Sequence, residues 1–172
     1  MGARPRTALP WVWLSLLVVA LDQFTKYLAV KYLVLHAPLP VFPGFNLTLV
    51  HNTGAAFSLL RDAGGWQRWV FIVLAVAIAT CIVVWLARLP GRRVWLACAL
   101  ALVLGGAFGN LWDRISLGYV IDFIDVYYAH WHWPAFNVAD SAITAGAVML
   151  VIDAFWFDRA EVSFDGDGRR DG

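Results

Sequence analysis

Four aspartates, Asp113, Asp122, Asp125 and Asp140, fall in the stretch from Gly105 to Ser141, which leaves one strongly apolar segment and enters another. Carboxylates this close to lipid are costly, so each needs a partner or a task. Two of them held 4 Å apart would repel by about 4 kcal/mol at an effective dielectric of 20, equivalent to roughly three pKa units. Such a pair holds a single proton near neutral pH. The ionised member can take a proton from water while the protonated member polarises a carbonyl, which is peptide-bond hydrolysis without a covalent intermediate. Spacing alone does not choose the pair, because Asp113, Asp122 and Asp125 are all open as partners of Asp140. Asp113 could instead pair with Arg114, and Asp125 could solvate a loop. Asp140 follows Asn137 closely enough that both could cap a helix.

Other chemistries find less support. No GxSxG or Ser–Lys pattern accompanies Ser58, Ser116 or Ser141. There is no HExxH motif. His130 and His132 would share one side of a strand, but no third ligand is suitably spaced, so neither a metal nor another cofactor is expected. Cys81 and Cys98 fall in mid-span and read as small apolar residues, with no disulfide framework.

The elements that must position these carboxylates are membrane elements. The chain is 61% hydrophobic and only 15% charged, with a mean hydropathy of +0.68, which points to an integral membrane protein. The net charge of +1 gives no case for a nucleic-acid partner. Four apolar spans, at about 11–30, 69–87, 94–111 and 138–157, each approach the ~20 residues that a helix needs to cross the hydrocarbon. Lipid offers free backbone groups no partner, so the expected class is all-α with four transmembrane helices. Residues 1–160 read as a single membrane domain, and 161–172 as a disordered, charged, Gly-rich cytoplasmic tail. Arg4, Arg6, Arg88, Arg92, Arg93, Arg159, Arg169 and Arg170 would share one side, which places that side and both termini in the cytoplasm.

The outward segments are then 31–68 and 112–137. In the first, Pro38, Pro40, Pro43 and Gly44 break helix, and Phe45–Leu49 alternates apolar and polar, as in a short strand of a small extracytoplasmic β cradle. Asn52–Ser58 reads as a turn of small residues. Asn46-Leu47-Thr48 also matches a glycosylation acceptor, a pattern of little specificity. The second segment, with Tyr119, Phe123, Tyr127, Tyr128, Trp131 and Trp133, reads as an interfacial loop. Two further features lie within the spans. Asp22 and Lys26 are four apart and can pair on one helical face. Gly105 and Gly109 form a GxxxG motif suited to close helix packing, with Asn110 able to bond across it. Two Arg before the first span resemble a cleavable leader, yet the apolar pattern continues through Phe24, Tyr27 and Leu28–Val30, so the span is expected to be retained.

Five blocks carry a more specific message. Asp22-Gln-Phe-Thr-Lys26, Asn52-Thr-Gly-Ala-Ala-Phe57, Gly105-Gly-Ala-Phe-Gly-Asn110-Leu-Trp-Asp113-Arg114, Val120-Ile-Asp122-Phe-Ile-Asp125 and Phe136-Asn137-Val-Ala-Asp140 occur in order over nearly the whole chain. Together they resemble the motif blocks of bacterial lipoprotein signal peptidase, or signal peptidase II. The resemblance implies an aspartyl endopeptidase, a target of globomycin, in the bacterial cytoplasmic (inner) membrane with its active site near the outer leaflet. It implies removal of the signal peptide from diacylglyceryl-modified prolipoproteins just before the lipidated Cys. The expected partners are that substrate and membrane lipid, with the protein itself expected as a monomer. Carried over by motif, Asp122 and Asp140 are catalytic. Asn52, Gly54, Asn110, Arg114, Asn137 and Ala139 line or brace the substrate site, with Asp22 and Lys26 in support. Two rivals stand beside this reading. A small proton-coupled transporter would need polar residues through the depth of several spans, and a non-catalytic scaffold would use the same aspartates only as caps.

Overall fold

The computed structural model describes residues 7–54 and 66–157. Ala55, Ala56, Phe57 and Ser58 of the small-residue turn, Arg4 and Arg6, and the tail with Arg159, Arg169 and Arg170 lie outside the described residues. Four α-helices carry the described residues: α1 (Val12–Tyr32, entered through a 3-10 turn at Leu9–Trp11), α2 (Gln67–Arg88), α3 (Val94–Ser116) and α4 (Val138–Ile152, followed by a π-helical turn at Asp153–Phe157). All four are long and apolar enough to span a membrane.

Their packing reflects the distribution of small and large side chains. In lipid there is no hydrophobic drive between helices, so association depends on close van der Waals contact and interhelical hydrogen bonds. α3 supplies both and sits at the centre, with α1, α2 and α4 each packed against it. Ala79, Ile82 and Leu86 of α2 meet Leu96, Ala97, Leu100 and Leu104 of α3. Toward α1, a Cβ at Gly105 would stand 2.7 Å from Val18 Cβ, and Ser15 Oγ donates to the Ala101 carbonyl at 2.8 Å. Toward α4, a Cβ at Gly106 would collide with the Ala139 carbonyl, and one at Gly146 would lie 2.7 Å from the Ala99 carbonyl. The large side chains that remain, such as Leu16, Phe24, Val73 and Val148, point outward, where lipid would surround them.

At one end of the bundle the described strands form one antiparallel sheet in the order β1 (Leu39–Phe42), β2 (Phe45–Asn52), β3 (Val120–Tyr128), β4 (Trp131–His132). Gly44, at φ +90°, makes the β1–β2 turn, a conformation other residues rarely take. Pro40 sits on the edge strand, where no inward amide is needed. At the other end, Ala8 N donates to the Leu89 carbonyl at 2.9 Å and Arg93 pairs with Asp153 at 3.0 Å, so the start of α1 and the end of α4 flank the α2–α3 turn.

The second outward segment is not a loop. α3 runs on to Ser116 because Asp113 turns inward to its ion-pair partner Lys26 while Trp112 and Ile115 face outward. Gly118, at φ +88°, ends it, and its amide reaches back to the Asp113 carbonyl at 3.3 Å. Val120–Tyr128, rich in β-branched and aromatic residues, then pairs with β2. The strand expected at Phe45–Leu49 extends to Asn52. Asn46 is not a free acceptor, because it is buried and donates to Asp125 at 2.8 Å.

The α3–α4 contact makes a direct prediction. Gly106→Val should separate the two helices and destabilise the protein by about 1–3 kcal/mol. Cys81→Val, on an exposed face of α2, should stay within about 0.5 kcal/mol of the parent. Thermal unfolding of both variants in detergent checks the contrast.

Candidate active site

The site forms where α1, α3 and α4 meet β3. At its base Lys26 is buried, only 1% exposed. Its ammonium lies 2.7 Å from Asp22, 2.8 Å from Asp113 and 3.0 Å from Asn110 Oδ1. The i,i+4 spacing on α1 accounts for the Asp22 contact. Asp113 is therefore not a partner of Arg114. Its Oδ1 also accepts from Gln23 Nε2 at 2.9 Å and its Oδ2 from the Ile121 amide at 3.1 Å. Asp22 Oδ1 accepts from the Ala139 amide at 2.9 Å, which ties α1 to the first turn of α4.

Above this cluster, two carboxylates are held by neutral amides. Asp122, on β3, accepts from Asn137 Nδ2 at 2.7 Å on one oxygen and from Asn52 Nδ2 at 2.9 Å on the other. Asp140, on α4, accepts from Asn110 Nδ2 at 2.7 Å and from the Asn137 amide at 3.3 Å. Asn137 is the α4 N-cap, and its Oδ1 takes the Asp140 amide at 2.9 Å. The reciprocal bonds make a capping box. Asp140 thus caps the helix and faces the cleft at the same time.

Both carboxylates line one cleft of about 840 Å³, together with Asn52, Gly54, Asn110, Arg114, His51, Trp133, Phe136 and Ile143. Burial pushes the Asp122 carboxyl up to about 7, the charge of Asp140 adds to the rise, and the Asn52 and Asn137 bonds oppose it. Arg114 donates to the Asn110 carbonyl at 3.3 Å and to the Gly54 carbonyl at 3.5 Å, and its guanidinium lies 5.0 Å over the Phe71 ring. Gly54 N in turn donates to Asn52 Oδ1 at 3.0 Å, an Asx turn that aims the Asn52 amide at Asp122.

Asp22, Lys26, Asn52, Gly54, Asn110, Arg114, Asp122, Asn137, Ala139 and Asp140 are thus brought together. Asp125 is not in this group, nor does it solvate a loop; it is buried in the sheet beside Asn46 and His132. His130 lies in the turn before β4, so it does not share a strand with His132. Among the described residues no group of three His, Cys, Asp or Glu is arranged to hold a metal ion. The sequence reading missed Gln23, which bonds Asp22, the Gly109 carbonyl and Asp113. The available signal was a polar residue inside an apolar span, within the Asp22–Lys26 block.

Comparison with known proteins gives a consistent set of matches. The family model described as Signal peptidase (SPase) II matches residues 14–156. A protein of Acinetobacter baumannii named lipoprotein signal peptidase is 55% identical over 149 residues, covering 87% of this chain and 85% of that one. One of Pseudomonas putida with the same name is 56% identical over 155 residues, covering 89% and 91%. Among solved structures, a bacterial membrane enzyme determined by the in meso method superposes with a TM-score of 0.75 at 27% identity, covering 95% of this chain and 93% of that one.

Two outcomes are expected from the charges. Lys26→Met leaves Asp22 and Asp113 buried without their cation and should destabilise by about 3–5 kcal/mol in equilibrium unfolding. At Asp122 the folded carboxyl, at about 7 against an ordinary value of 3.8, binds its proton more tightly than the unfolded chain does. Stability should therefore be fully present below about pH 4 and decline as pH rises to about 7, on the order of 4 kcal/mol if this group acts alone. The Asp122→Asn protein should lack that decline when unfolding is measured against pH.

Proposed function

The chain belongs to the signal peptidase II family, whose members cleave signal peptides from prolipoproteins, and on that premise we propose that it is an aspartyl endopeptidase whose catalytic pair is Asp122 and Asp140. The observation that carries this is the placement of two carboxylates on one cleft, held by neutral amides rather than by cations.

The reaction uses one proton shared by the pair. One carboxylate takes a proton from a water as that water's oxygen adds to the scissile carbonyl, and the other, protonated, donates to the carbonyl oxygen. Collapse of the diol intermediate breaks the C–N bond: the protonated carboxyl donates to the leaving amine while the ionised one takes the proton of a diol hydroxyl, so the pair again holds one proton. Asn52, Asn110 and Asn137 fix the carboxylate orientations so that little reorganisation is needed in the transition state. Arg114 and the Gly54 backbone border the same cleft and would contact substrate.

The substrate in this reading is a prolipoprotein whose Cys already carries diacylglycerol, cut on the N-terminal side of that Cys. The protein is a multi-pass component of the bacterial inner membrane and acts as a monomer without a cofactor. The end carrying Arg88, Arg92 and Arg93 faces the cytoplasm, with both termini, and the sheet end lies at the outer leaflet. The transporter alternative is disfavoured by the span Trp69–Leu86 of α2, which has no charged residue.

Asp122→Asn and Asp140→Asn should each remain folded and lose cleavage by at least about 10²-fold, since Asn keeps the shape but cannot exchange the proton. A gel-shift assay with diacylglyceryl-modified prolipoprotein in detergent or lipid reads this directly. Wild-type-like cleavage by Asp140→Asn would make Asp140 a cap alone. With Asp122 raised to about 7, kcat should fall on the alkaline side of that value.

A further inference from the structure

Not every buried carboxylate takes part in this mechanism. Asp125 is buried, with its side chain 8% exposed, yet it sits on the same strand as Asp122 and outside the cleft. Asn46 Nδ2 supplies it with a neutral bond at 2.8 Å. Its remaining partner is His132 Nδ1, 2.8 Å from Oδ1 and 3.1 Å from Oδ2, so an Nδ1–H donates to the carboxylate. The imidazole also stacks on Tyr127, with centroids 5.0 Å apart.

His132 belongs to β4, a strand of 2 residues. Backbone pairing this short holds little by itself. Immediately after β4 the chain forms the wall of the cleft: Trp133 and Phe136 line it, and the backbone then reaches Asn137, which bonds Asp122 at 2.7 Å. The wall is tied back to β3 through Trp133 N to the Val126 carbonyl at 2.8 Å and Phe136 N to the Ile124 carbonyl at 3.0 Å. A closed circuit results. It runs along β3 from Asp122 to Asp125, crosses to His132, continues through the wall to Asn137 and returns to Asp122.

We propose that Asp125 and His132 are positioning residues: their hydrogen bond clips the Trp133–Phe136 wall to the strand that carries Asp122, and so sets the width of the cleft that receives the peptide. This rests on the peptidase reading for its effect on turnover, but not for its effect on the wall. Neither residue touches the reacting atoms, so the clip acts on substrate binding more than on the chemical step.

The test compares Asp125→Asn, His132→Phe and His132→Asn with wild type. Phe keeps the ring that stacks on Tyr127 but has no donor, whereas Asn places an amide donor close to where Nδ1 stood. Hydrogen exchange by mass spectrometry should show faster exchange over 131–136 in Asp125→Asn and His132→Phe, with the helices unchanged and His132→Asn near wild type. In cleavage of a diacylglyceryl lipopeptide, the first two variants should raise KM by about fivefold with kcat within about twofold, as expected for a lost hydrogen bond that acts on binding. Their double variant should be no worse than the poorer single. Unchanged exchange over 131–136 would overturn the clip whatever the cleavage data show. Faster exchange with unaltered KM, or a loss confined to kcat, would overturn its role in binding. If wild type itself cleaves nothing, the peptidase reading fails, and the exchange data decide the clip by themselves.

Discussion

An ammonium ion enclosed by two carboxylates and an amide is the constraint on which the rest of the site depends. A Lys has three donors, and at Lys26 they meet Asp22, Asp113 and Asn110. Each partner passes the constraint on. Asp22 receives the Ala139 amide and fixes the start of α4. Asp113 receives the Ile121 amide and fixes β3 one residue before Asp122. Asn110 turns its Nδ2 to Asp140. In a low-dielectric interior none of these groups can let go without exposing a neighbour as an unpaired charge or polar atom. One side chain therefore sets the relative positions of α1, α3, α4 and the sheet.

The same interior holds two kinds of aspartate, and the difference lies in what surrounds them. Asp22 and Asp113 share one direct cation, Lys26. Asp122 and Asp140 receive amide bonds, which orient an oxygen without cancelling its charge. Burial and the charge of Asp140 then outweigh the Asn52 and Asn137 bonds and the Lys26 charge, and raise Asp122 to about 7. On the proposed mechanism, two environments for one residue type would divide the structural task from the chemical one, as acid–base work near neutral pH requires.

This division also marks how far the residues could be read in one dimension. The four spans were legible because lipid forces about twenty apolar residues into a helix, and the Asp22–Lys26 pair because helical period places i and i+4 together. The end of α3 was not, since Asp113 and Arg114 look like the exit from a membrane until a buried Lys on another helix is found to meet Asp113. β3 was hidden for a related reason. Its aromatic and β-branched residues fit an interfacial loop as well as a strand, and only pairing with β2, far away in sequence, separates the two. Spacing left Asp113, Asp122 and Asp125 equivalent as partners of Asp140. They differ by what each meets: a Lys, two Asn amides, and an Asn with a His.

The glycines of α3 belong to the same argument. A GxxxG pattern in a membrane helix ordinarily implies backbone contact between helices, and Gly105 against Ser15 and Val18 fits that. Gly109 does something further. A Cβ there would lie 2.6 Å from Asp22 Oδ2 and 3.2 Å from the Ala139 Cβ, so the missing side chain is the space in which the carboxylate sits. The Gly109 carbonyl also accepts from Gln23 at 3.2 Å. Close packing here is the condition for charge pairing: only with α3 stripped to backbone at this level can Asp22 reach the Ala139 amide on one side while Lys26 reaches Asp113 on the other. A motif that reads as helix adhesion thereby becomes part of how the carboxylates above it are aligned.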